Sequence, residues 1–68
     1  MNMTRPIAQQ VSEVERELAL RRSVYPGLVG RGKMRQAEAD EHMARMEAVL
    51  ATLRHVAAKI AEREVAAP

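Results

Sequence analysis

The chain has 68 residues, 47% of them hydrophobic, with Tyr25 its one aromatic and no cysteine; eleven Lys and Arg against nine Asp and Glu leave a formal charge of +2. Without cysteine there is neither a disulfide framework nor a thiolate-held metal, and nothing asks for an oxidising compartment. No uncharged run approaches a bilayer span and the N-terminus lacks the apolar core of a signal peptide, so the expectation is a soluble cytoplasmic protein with no membrane partner.

Helical periodicity governs two segments, and strand alternation almost none of the chain. In the first, Ile7, Val11, Val14, Leu18 and Tyr25 recur at steps of three, four and seven and form one apolar seam. Thr4 is placed to cap this helix with Pro6 in its first turn, where a missing N–H costs nothing. Glu13, Glu15 and Glu17 precede Arg21 and Arg22, the order the helix dipole favours. Pro26 disfavours helical geometry at Tyr25 and lacks a backbone donor. The expectation is therefore a helix over about 7–24, followed by a kinked turn to 31 that ends at Gly32 as a left-handed cap.

From Gln36 to about Glu64 the chain contains no Gly or Pro and is rich in Ala, Glu, Arg, Met and Leu, all strong helix formers. Its apolar positions, from Ala39 through Met43, Met46, Val49, Leu50, Leu53, Val56 and Ala57 to Ile60 and Ala61, spread over roughly 140°, more than one partner helix needs. The fold expected is all-α: a single antiparallel hairpin domain with a second helix over about 36–64 and a disordered tail over about 65–68. In that hairpin Ile7 falls near Leu53, which leaves Val56, Ala57 and Ile60 beyond the first helix.

Eighteen larger apolar side chains lie between Ile7 and Val65, and in a lone helix pair each stays half wet. So small a domain without a staple needs a partner to complete its core. A homo-oligomeric bundle is expected, with Met43, Met46, Val49, Leu53, Val56 and Ile60 as its interface. Leu20 and Val24, with Leu28 beside them, form a second apolar patch away from the main seam.

The string Gly27-Leu28-Val29-Gly30-Arg31-Gly32-Lys33-Met34 imitates a phosphate loop up to the position that should ligate magnesium, where Met34 stands. The strand and parallel sheet that such a loop requires do not fit in this length. What survives is a glycine-rich turn beside the N-terminus of a long helix, which can cradle an anion. Between Arg16 and Arg35 there are six basic residues and one acid. Arg21, Arg22, Tyr25, Arg31, Lys33 and Arg35 are accordingly the candidate ligand-binding set: guanidinium groups fork onto phosphate oxygens and Tyr25 offers a ring for stacking. The alternative is a solvated basic loop. Arg21 lies on the apolar seam itself, so its head must find a carboxylate or a ligand, with Glu38 and Asp40 as candidate partners.

His42 borders the apolar stripe and His55 lies on its polar side, with no carboxylates at ligand spacing, so no metal and no cofactor are expected. No Ser, Cys or Thr stands in a triad-like pattern, and the protein is not expected to be an enzyme. Nucleic acid is a weaker candidate partner: two helices fall short of a helix-turn-helix domain, and the second helix alternates Glu and Arg on its outer face, as at Glu41, Arg45, Glu62 and Arg63.

The runs Val14-Glu15-Arg16-Glu17, Arg21-Arg22-Ser23-Val24-Tyr25-Pro26, Val29, Gly32-Lys33-Met34, Gln36-Ala37-Glu38-Ala39-Asp40 and Met46-Glu47-Ala48 resemble a group of small helical accessory proteins of tailed bacteriophages and prophages. The resemblance covers roughly residues 11 to 54. It departs at Arg35, where a Ser or Thr cap would suit the second helix. The resemblance implies an accessory protein of the host cytoplasm and assigns no activity. By analogy with such proteins, the function expected is stoichiometric binding in counter-defence or host takeover. Its sharp form is sequestration of an anionic nucleotide signal at the hairpin end. Inhibition of a host protein through the Leu20 and Val24 patch is the alternative, and nucleic-acid binding a second.

Overall fold

The computed structural model describes residues 4–66, which form two α-helices, α1 (Ile7–Gly30) and α2 (Gln36–Ala66), joined by a turn over 31–35. This is the antiparallel hairpin expected, and the described residues contain no strand.

The ends of α1 differ from the sequence expectation. Pro6, not Thr4, is the cap residue, with φ −54° and ψ 145°. Its carbonyl accepts the Gln9 and Gln10 amides at 3.0 and 3.2 Å, and the Gln10 side chain reaches back to the Arg5 carbonyl at 2.8 Å. A proline serves here because its φ already matches a helix entry and its absent N–H would have had no partner. At the other end the α-helix continues through Pro26 to Gly30, where a helix over about 7–24 with a kinked turn running on to 31 was expected. Leu28 and Val29 are half-buried, so the residues beyond the proline contribute packing that offsets its lost hydrogen bond.

The stop is a Schellman motif. Gly32 has φ +71° and donates its N–H to the Val29 carbonyl at 3.0 Å, while Lys33 donates to that of Leu28 at 2.8 Å. The extension also moves Arg21 and Arg22 away from the helix end, so the last turn of α1 carries no basic residue; its first turn likewise holds no acid.

At the start of α2 the Arg35 carbonyl accepts the Ala39 amide at 3.1 Å, and the Arg35 N–H donates to the Glu38 carboxylate at 3.3 Å. This is one half of a capping box, and it explains how the helix starts without a Ser or Thr. Val65 and Ala66 belong to α2, which corrects the expected disordered tail at those positions; residues 67–68 lie outside the described range. Helix-forming residues continue to that point without a glycine or proline to stop them.

The core is small. Leu18, Ala39 and Leu50 are the buried apolar residues, at 2%, 4% and 8% exposure. Ile7, Val11, Val14 and Tyr25 on α1, with Met43, Met46, Leu53 and Ala57 on α2, are half-buried along the same contact. Three links cross between the helices: Arg54 to Glu15 at 2.9 Å, Arg22 to Glu47 at 3.8 Å, and Arg21 Nη1 donating to the His42 carbonyl at 3.0 Å. Counting back along α1 and forward along α2 from these links brings Ile7 level with the stretch from Val56 to Glu62. The level opposite Ile7 thus lies at least three residues beyond the expected Leu53, and Val56 and Ala57 fall within the reach of α1, because α1 extends past Pro26.

Candidate functional site

A cleft with an apolar floor lies between the helices at the turn end of the hairpin. It encloses about 250 Å³ and is lined by Arg21, Arg22, Tyr25, Pro26 and Val29 from α1 and by Gln36, Ala39, Asp40 and Met43 from α2. The helices supply it through a size mismatch: Ala39 stands in the seam among larger residues, and its methyl leaves the gap between Tyr25, Val29 and Met43.

Three of the six candidate ligand residues meet here. Arg21 is half-buried. Its Nε lies 2.9 Å from Glu17 Oε1, its Nη1 reaches the His42 carbonyl, and its guanidinium carbon sits 5.9 Å from the centre of the Tyr25 ring. The expected ion pair thus forms with Glu17, one helical turn away, and not with Glu38 or Asp40. Glu38 is held on the Arg35 amide and Asp40 accepts the Gln36 side-chain amide at 2.8 Å. Arg21 is therefore fully committed within the fold, and it fixes Tyr25 on the cleft wall by a cation–π contact. Arg22 is different: its side chain is 62% exposed and stands 3.8 Å from Glu47, so its guanidinium can swing over the cleft mouth.

Arg31, Lys33 and Arg35 do not line this cleft. They surround the turn, and none of them has an ion-pair partner among the described residues. The Arg31 guanidinium folds back over Gly27, where an added Cβ would stand 3.2 Å from Nη1, on the side of α1 turned away from α2. Lys33 and Arg35 border a shallow depression with Gly32, Met34 and Glu38. Glu38 already fills the anion position at the start of α2. The basic set is thus divided between a cleft with an apolar floor and a solvated turn.

Sequence reasoning did not assign Pro26, Val29, Gln36, Ala39, Asp40 or Met43 to this site. The available signal was Ala39, the one small residue at the turn end of the wide α2 stripe. Of the six expected interface residues, Met43, Met46 and Leu53 are half-buried, while Val49, Val56 and Ile60 are exposed at 45%, 40% and 39%. Leu20 and Val24 are exposed at 47% and 49%, and Leu28 is half-buried.

No helix among the described residues is long and apolar enough to cross a membrane, and no three His, Cys, Asp or Glu side chains gather there as a metal site. No protein-family model, curated protein or solved structure matches the chain.

Proposed function

We propose that this protein acts stoichiometrically, by binding, as a self-associating accessory protein of phage type in counter-defence or host takeover. Its ligand site is the hairpin-end cleft, and an anionic nucleotide is the ligand that suits it. The observation that carries this reading is the pairing of an apolar floor, Pro26, Val29, Ala39 and Met43, with a loosely held arginine at the mouth. A base fits against the floor and the Tyr25 ring, and a phosphate within reach of Arg22 gains a forked hydrogen bond. Arg21 acts as a positioning residue, and Arg31, Lys33 and Arg35 contribute a long-range positive field at the same end.

Titration calorimetry against cyclic and linear nucleotides tests the proposal. Heat is expected with at least one of them, lost in Arg22→Ala while the oligomeric state persists; absence of heat across the panel overturns it. The second reading, a host protein docked on Leu20 and Val24, draws on the exposure of both residues beside a depression shared with Glu17, Arg21 and Tyr25. Nucleic acid is disfavoured because Arg16, Arg21, Arg22, Arg45, Arg54 and Lys59 each stand beside a carboxylate, so basic charge along the helices alternates with acid, and the unpaired cluster among the described residues is confined to Arg31, Lys33 and Arg35 at the turn.

A further inference from the structure

Helix α2 carries two apolar seams, and α1 covers one of them. Ala39, Met43, Met46, Leu50, Leu53 and Ala57 face α1 and are buried or half-buried. Met46, Val49, Leu53, Val56 and Ile60 form a second line at alternating steps of three and four, the spacing of a coiled-coil seam. Val49, Val56 and Ile60 in that line remain exposed.

The cross-helix links show which side of the hairpin this seam occupies. The Glu15 to Arg54 and Arg22 to Glu47 pairs close one side. Arg21 reaches the His42 carbonyl on the other, and one and two heptads on from His42 stand Val49 and Val56. Helical phase also places Val24 on the Arg21 side of α1. The hairpin therefore has one side closed by interhelical ion pairs and another on which Val24, Val49, Val56 and Ile60 stay exposed beside the Arg21–Glu17 pair.

From these relationships we infer that the occupant of the apolar side is a second copy of this chain, with the two α2 helices packed antiparallel. This rests on the self-association in the functional reading above and adds the copy number, the seam and the orientation.

Area and charge both support the assignment. The chain exposes 5537 Å², against roughly 4,300 Å² for a globular monomer of its mass. A standard interface hides about 800 Å² per partner, which removes most of the excess. Along the edge of the seam, Glu38 and Glu41 lie towards the start of α2, and Lys59 and Arg63 towards its end. A parallel pair in register would set each of these charges, and Arg45 between them, beside its own copy, whereas the antiparallel pair sets Glu41 against Arg63 and leaves Arg45 level with Lys59 as its one like-charge approach. The i,i+4 pair of Glu41 with Arg45 and the i,i+3 pair of Lys59 with Glu62 are exposed and weak enough to exchange partners. An antiparallel register that stacks Met46 on Val56 and Val49 on Leu53 keeps the seam apolar along its length. It also brings Ile60 of the second copy level with His42 and Val24.

Because the chain has no cysteine, disulfide trapping reads the orientation directly. Mixing Glu41→Cys with Arg63→Cys is expected to give a mixed disulfide dimer, with little dimer from either variant alone. Homodimers trapped by Arg63→Cys alone would overturn the antiparallel orientation and leave self-association standing. Light scattering of the unmodified protein at tens of micromolar is expected to return a dimer, and its melting temperature to rise with concentration. A monomer with a concentration-independent melt would overturn both this inference and the self-association it rests on. Val56→Glu is expected to abolish the dimer, and persistence of the dimer in that variant would place the interface elsewhere.

Discussion

Arg21 donates its Nη1 to the main-chain carbonyl of His42 at 3.0 Å, which makes a charged side chain on one helix the hydrogen-bond donor to the backbone of the other. The same guanidinium is paired with Glu17 and lies near the Tyr25 ring. A residue on the apolar seam thus ties the two helices together beside the cleft, and its methylene stem packs where a leucine would otherwise stand.

Replacing Arg21 by Ala removes the interhelical hydrogen bond, the cation–π contact and the stem packing together. The expected loss is about 1.5–3 kcal/mol in urea unfolding. Glu17→Gln leaves the His42 link intact and removes only a pair whose acid is 44% exposed, so its loss is expected to stay below about 1 kcal/mol. Equal losses in the two variants would show that the carbonyl link contributes nothing.

Leu18 and Leu50 are the large side chains that the hairpin buries most completely. With so few such residues, either Leu→Ala change is expected to cost about 2–5 kcal/mol. That is comparable with the whole stability of a small domain. Circular dichroism should then show loss of cooperative melting, whereas Leu20→Ala, at an exposed site, should melt within a few degrees of the parent.

The two glycines at the end of α1 are expected to respond with opposite sign. Gly32 holds φ +71°, so Gly32→Ala should destabilise by about 1 kcal/mol. Gly30 is helical with open space where a Cβ would go, so Gly30→Ala should stabilise by about 0.4–1 kcal/mol. Thermal melts of the pair, at matched protein concentration, check the sign.

Arg35→Ser supplies the missing half of the capping box, since a serine hydroxyl can accept the Glu38 amide while the Glu38 carboxylate keeps the amide of residue 35. The expected gain is about 0.5–1 kcal/mol. Because Arg35 does not line the cleft, nucleotide heats should change far less than in Arg22→Ala.

The two helices, their antiparallel pairing and the Gly32 stop were all legible in the sequence, because each follows from local spacing and local backbone chemistry. Ile7, Val11, Val14 and Leu18 repeat at helical steps, and only glycine takes positive φ cheaply in a Schellman turn. The fate of Pro26 was not legible. Whether a proline ends a helix depends on what the residues beyond it bury, and Leu28 and Val29 find cover only once α2 is alongside. The partner of Arg21 was missed for a similar reason: Glu38 and Asp40 were the acids expected near it, yet each is claimed by its own helix start.

What the sequence by itself determined is the pair of amphipathic helices and the wide apolar stripe on the second, since periodicity is a property of the chain alone. Register, the cleft over Ala39, the division of the basic residues and the side on which the second seam lies were decided only by tertiary packing. Those depend on which residues of two separate segments come level with one another. That level is fixed by the length of α1 beyond Pro26 and by a few long side chains reaching across.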